Sequence, residues 1–134
     1  KLQASHPHHP AEAYFGQPCR PSFLRNWHNH FDNYGHFLPG YCGGLSLGDW
    51  HDLERLTTEG VDLGEHPILA YLIAEDMEGL LRFAGEFGYE TRDEGYISRC
   101  DLCLDIREHL LSVADFGELA PQGFYAHLSD GRGE

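Results

Sequence analysis

Four cysteines, Cys19, Cys42, Cys100 and Cys103, are the residues of this chain best suited to chemistry. Cys100 and Cys103 form a CxxC, and two thiolates three positions apart at a helix start can face one ion. The free N–H groups and the positive end of the helix dipole at such a start favour anionic sulfur. Cys42 lies in a glycine-rich turn, Gly40-Tyr41-Cys42-Gly43-Gly44, whose backbone can approach a bound centre closely. Four thiolates suit tetrahedral Zn²⁺ or a [4Fe–4S] cluster, and the ligand type alone does not choose between them. Two disulfides in a secreted domain are the competing use of four cysteines.

The elements that must position these thiols can be read from the local patterns. Residues 1–22 carry His6-Pro7-His8-His9-Pro10, then Pro18 and Pro21. Proline disfavours helix and central strand, so an extended lead-in delivering Cys19 is expected, with the histidines as linker residues. Trp27 to Phe31 and His36 to Leu38 read as the arms of a β-hairpin, with Asp32-Asn33-Tyr34-Gly35 as its turn. That hairpin would bring Cys19 and Cys42 together, with Trp27, Phe31, Phe37 and Trp50 as a small core behind it. His28 and His30 share one face of the first arm and are expected to point to solvent.

Asp49 is placed to cap a short helix through Trp50, Leu53 and Leu56. Pro67 suits the first turn of another. From there Leu69, Ile73, Met77, Leu80, Ala84 and Phe87 recur at helical spacing, with a break expected near Asp76 or Gly79. Residues 88–99 turn and extend, and the CxxC opens a last helix whose buried face is Leu102, Ile106, Leu110 and Val113. Asp101 and Asp105 in its first turns complement the dipole. Arg20, Arg25 and Arg99 read as surface or ion-pair residues. The chain from Gly117 onward reads as irregular, with residues 129–134 frayed. The expected fold class is therefore α+β: a short antiparallel β-hairpin with several packed helices, stapled by a metal.

Composition narrows the function further. The formal charge of −13 opposes binding to nucleic acid phosphates and anionic lipid surfaces. A hydrophobic fraction of 41% argues for a folded domain. No apolar run is long enough to span a membrane. No Ser–His–Asp order stands out, and the glycine-rich turn at Cys42 lacks the Lys-Ser/Thr of a phosphate loop. The chain opens on Lys1 and its sole methionine is Met77, so a fragment, a processed form or a trimmed form of a longer protein is expected.

The stretch from Cys19 through His30-Phe31-Asp32-Asn33-Tyr34-Gly35-His36-Phe37-Leu38-Pro39-Gly40-Tyr41-Cys42 to Leu47-Gly48-Asp49 resembles the C-terminal auxiliary-cluster domain of radical SAM enzymes, the SPASM domain and its shorter twitch form. The shared pattern is a Cys, a hairpin with Asp-x-x-Gly, a Pro and a Cys, then Leu-Gly-Asp, with a later CxxC completing the site. The likeness spans roughly residues 15–115, between a lead-in of residues 1–14 and the tail; the domain itself would run over 15–128. With four cysteines the chain is closer to the single-cluster twitch form. It departs from the pattern in the six residues between Gly35 and Cys42, and in a long helical insertion over 49–95.

The resemblance implies one [4Fe–4S] cluster held by Cys19, Cys42, Cys100 and Cys103, serving electron transfer or substrate positioning. No CxxxCxxC for a SAM-binding cluster is present, so SAM would belong to a core domain elsewhere in the same polypeptide, and this piece alone would not be catalytic. The implied partners are that core and a peptide or protein substrate, in the cytoplasm, with no nucleic acid and no membrane. A structural four-cysteine zinc domain for protein interaction is the alternative, and zinc could also fill the site in an isolated piece.

Overall fold

A computed structural model describes residues 7–18, 30–31, 37–38, 45–48, 53–60 and 63–126. Four helices organise them: α1 Leu53–Glu59, α2 Pro67–Ile73, α3 Met77–Gly85 and α4 Arg99–Val113. The α+β expectation is thereby overturned, because the body of the fold is helical. Apart from the single His9–Tyr96 bridge, the strand pairing among the described residues sets His30 opposite Leu38 and Phe31 opposite Phe37. Two residues a side form no sheet layer on which helices could pack. The described core is instead drawn from helices and from the loops between them.

The helix boundaries follow local chemistry. Gly60, with φ +78°, closes α1 in the left-handed conformation open to glycine. Pro67 opens α2 at its first turn, where its missing N–H costs nothing. The long periodic stretch breaks at Ala74-Glu75-Asp76. Glu75 takes φ +59°, and the Asp76 carboxylate accepts from the Gly79 N–H at 2.9 Å to cap α3. Gly79 leaves room for that carboxylate, since a Cβ there would collide with it.

α2 packs on α3 and α3 on α4. Ile68, Leu69 and Leu72 of α2 meet Met77, Leu80 and Ala84 of α3 and Leu102, Ile106 and Leu110 of α4 in one core. Ile73 is half-buried, and Phe87 and Val113, at or beyond helix ends, are exposed rather than in the apolar face expected for them. The segments outside the helices are built into this core. Residues Ala11–Tyr14 form a 3-10 helix with Ala11 and Tyr14 buried, where an extended path was expected. His9 and Tyr96 exchange both backbone hydrogen bonds at 2.8 Å, and the Tyr14 hydroxyl donates to the Tyr96 carbonyl at 2.7 Å.

Residues 117–126, where an irregular path was expected, are likewise built around buried Glu118, Leu119 and Tyr125, with helical residues over 122–126, while the frayed tail expected over 129–134 lies outside the described residues. The Glu118 carboxylate accepts from the N–H groups of Ile68 at 2.9 Å and Leu69 at 3.2 Å. It thus supplies the cap that His66, at the N-terminal boundary of α2, does not give. The Glu118 carbonyl in turn accepts from the Ser46 N–H at 2.7 Å. Burial pushes the Glu118 carboxyl above the usual carboxylate range, against the opposing pull of those two N–H donors and of His66.

Candidate metal centre

α4 begins at a reciprocal cap. The Ser98 hydroxyl accepts from the Asp101 N–H at 3.1 Å, and the Asp101 carboxylate accepts from the Ile97 N–H at 3.0 Å. The same carboxylate oxygen takes the Arg92 guanidinium at 2.6 Å, and that guanidinium lies 4.4 Å over the Tyr96 ring. Burial works against the Arg92 charge, but Asp101 and then Asp105 outweigh it and hold the group further toward its protonated form than usual.

A hydrogen-bonded chain runs beside this ion pair. The Arg92 N–H donates to the Tyr96 hydroxyl at 3.0 Å, and the Tyr89 hydroxyl donates to Asp105 at 2.6 Å. The two tyrosine hydroxyls are 2.5 Å apart. Because Tyr89 gives its single proton to Asp105, Tyr96 is the donor to Tyr89. Burial, followed by the Asp105 and Tyr96 hydrogen bonds, holds Tyr89 far above the usual phenol range. Asp101 and Asp105 therefore do more than complement a dipole: each anchors residues of the 88–98 loop.

The cysteines sit on the same helix. Cys100 and Cys103 are free thiols in its first two turns, Cys100 exposed and Cys103 only 4% exposed within the core. Cys19 and Cys42 lie outside the described residues, as do His28 and His36 and the side chains of Trp27, His30, Phe31, Phe37 and Trp50. Among the described residues no group of three or more His, Cys, Asp or Glu side chains is placed to hold a metal ion. The described structure thus contains two of the four proposed donors. Leu45, three residues past Cys42, is buried in the same core as Cys103.

Sequence reasoning missed what surrounds Cys103. Arg99 and Arg107 lie one turn before and after it on the same face of α4, and they are 9% and 3% exposed. Arg107 donates to the Tyr125 hydroxyl at 3.2 Å and lies near its ring. The Arg99 Nε, like that of Arg92, is buried without a hydrogen-bond partner. A thiolate–metal group carries negative charge, and buried arginines on the helix that carries Cys103 have the sign that would offset it. The i, i+4 spacing of Arg99, Cys103 and Arg107 was the available signal, but arginine is expected outside.

No helix of the described residues is long and apolar enough to cross a membrane. Comparison with protein-family models gives no match, and neither does comparison with curated proteins or with solved structures.

Proposed function

We propose that this chain is a cysteine-thiolate metal-binding domain, and that its group is the [4Fe–4S] cluster of an auxiliary domain in a radical SAM enzyme. Cys19, Cys42, Cys100 and Cys103 would be the ligands. The observation that carries the reading is the pair Cys100 and Cys103, both free thiols, in the first turns of a capped helix. The support for iron–sulfur in particular is the motif likeness around Cys19 and Cys42.

Bound there, the cluster would supply one-electron transfer or an anchor for substrate. The chain's own part is to hold the thiols. α4 presents Cys103 from inside the core and Cys100 at its surface, and Ser98 with Asp101 fixes where the helix begins. The partners in this reading are a radical SAM core in the same polypeptide and a peptide or protein substrate, in the cytoplasm.

Iron and sulfide analysis after anaerobic reconstitution tests the proposal. About four irons and four sulfides per chain are expected, with a visible band bleached by dithionite. Cys103→Ala should abolish the uptake; normal reconstitution in that variant would remove Cys103 from the ligand set. A structural zinc site on the same cysteines is the second reading, favoured by the burial of Cys103 in the apolar core. One tightly held zinc with no iron uptake would decide for it.

A further inference from the structure

We infer that Cys100 and Cys103 are a reversible dithiol–disulfide pair, in which Cys100 attacks a small-molecule disulfide and Cys103 resolves the adduct into an internal bond. No metal takes part, so the pair goes beyond the ligand reading above. Both residues are free thiols on α4, yet their surroundings differ: Cys100 is exposed, and Cys103 is only 4% exposed in the core. Three residues turn a helix by about 300°, so the two side chains stand about 60° apart, at the edge of the buried face. A soluble disulfide can reach the first sulfur and is shielded from the second. Thiol exchange uses such a division, with one accessible attacking thiol and one neighbour that displaces the adduct.

The spacing sets how stable that bond is. Residues three apart in a helix have Cα atoms about 5 Å apart, inside the roughly 4.4–6.8 Å that a disulfide spans. Their Cβ atoms are about 5–6 Å apart, against about 3.5–4.5 Å across a relaxed disulfide. Closure therefore draws the first turn together by about 1 Å. In that turn the Ser98 hydroxyl accepts from the Asp101 N–H, and the Asp101 carboxylate holds Arg92. The bond pulls against these contacts, which makes it a strained, easily reduced disulfide rather than a structural one.

The exchange balances in two steps. The Cys100 sulfur, having given its proton to solvent, attacks one sulfur of a disulfide such as oxidised glutathione and releases one glutathione. The Cys103 sulfur then loses its proton, attacks the Cys100 sulfur and releases the second. Two protein thiols are oxidised by two electrons, and the glutathione disulfide is reduced to two thiols that take up the two protons.

The test incubates the full chain, freed of metal with a chelator, with oxidised glutathione, then alkylates the remaining thiols and maps peptides by mass spectrometry. A Cys100–Cys103 bond is expected, reopened by excess reduced glutathione and still formed in the Cys19→Ser/Cys42→Ser variant. Cys103→Ser should lose the internal bond and retain one glutathione on Cys100. Cys100→Ser should leave Cys103 reduced and without an adduct. Should Cys103→Ser lose its helical circular dichroism, Cys103→Ala makes the same comparison. Pairing of either cysteine with Cys19 or Cys42, a lasting adduct on wild-type Cys100, equal adducts in the two single variants, or a bond that resists reduced glutathione would overturn the inference. Failure of zinc or iron uptake bears on the ligand reading and leaves this pair standing, and failure of the exchange leaves the ligands standing.

Discussion

The two sides of the α4 N-terminus are built by opposite rules. Toward the 88–98 loop, Arg92, Tyr96, Tyr89, Asp101 and Asp105 form a set in which each carboxylate and each hydroxyl has a partner. Toward the core, Arg99 and Cys103 are also buried, and no carboxylate is seen on Arg99, whose Nε has no hydrogen-bond partner. Both sides place charge out of water, so burial alone does not distinguish them. The first contains its own counter-charge, and of its groups only the Arg92 Nε is left without a partner. The second is incomplete as folded at the Arg99 Nε, and in the proposed reading an anionic metal–thiolate group would lie on this side.

Breaking the paired side should have the largest effect. Asp101→Ala removes the partner of Arg92 and the acceptor of the Ile97 N–H together, and about 3 kcal/mol of stability should be lost in urea unfolding. A loss below about 1 kcal/mol would show that the network is decorative. Next is Gly95→Ala, at φ +81° with a His9 carbonyl oxygen 2.6 Å from where the new Cβ would sit. About 2 kcal/mol is expected from the strained backbone and the disturbed His9–Tyr96 pairing. Wild-type stability for this variant would mean that the pairing is not needed.

The incomplete side should respond with the other sign. Arg99→Met exchanges a buried guanidinium whose Nε lacks a partner for an apolar chain of similar reach, and stability should hold or rise by about 1 kcal/mol. A clear loss would mean that Arg99 already has a structural partner, and the contrast would collapse. The smallest effect sharpens the comparison with a third buried charge, Glu118, which is ionisable but has donors. Its carboxyl titrates higher in the folded than in the unfolded chain, so its contribution is fully present below the ordinary Glu range and fades as pH rises through the folded value. Glu118→Gln should flatten that slope, which for one proton stays below about 1.4 kcal/mol per pH unit. An unchanged pH profile in the variant would assign the slope elsewhere.

Features encoded by neighbouring residues were legible in the sequence. Pro67 at a first turn, the break at Asp76 and the apolar stripe Leu102, Ile106 and Leu110 all follow from spacing and capping chemistry. The fold class was not legible, because turn chemistry at Asp32 to Gly35 signals a reversal but not the extent of pairing on either side. Nor was the capping of α2 by Glu118, from a carboxylate about fifty residues along the chain, or the docking of Tyr14 on Tyr96. Such contacts leave no periodicity. Of the candidate centre, the CxxC could be read directly, whereas the buried arginines bracketing Cys103 ran against the ordinary expectation that arginine lies outside.

The hydrogen bond from Tyr14 to Tyr96 joins residues 82 apart in sequence. Its consequence concerns the order of assembly. α2, α3, the 88–98 loop and α4 meet mainly through neighbours in sequence and should form early. The 7–18 segment must close a long loop before its contacts repay the entropy, and it is expected to dock late. A chain still emerging from the ribosome has that segment available first, yet must keep it waiting until Tyr96 is made.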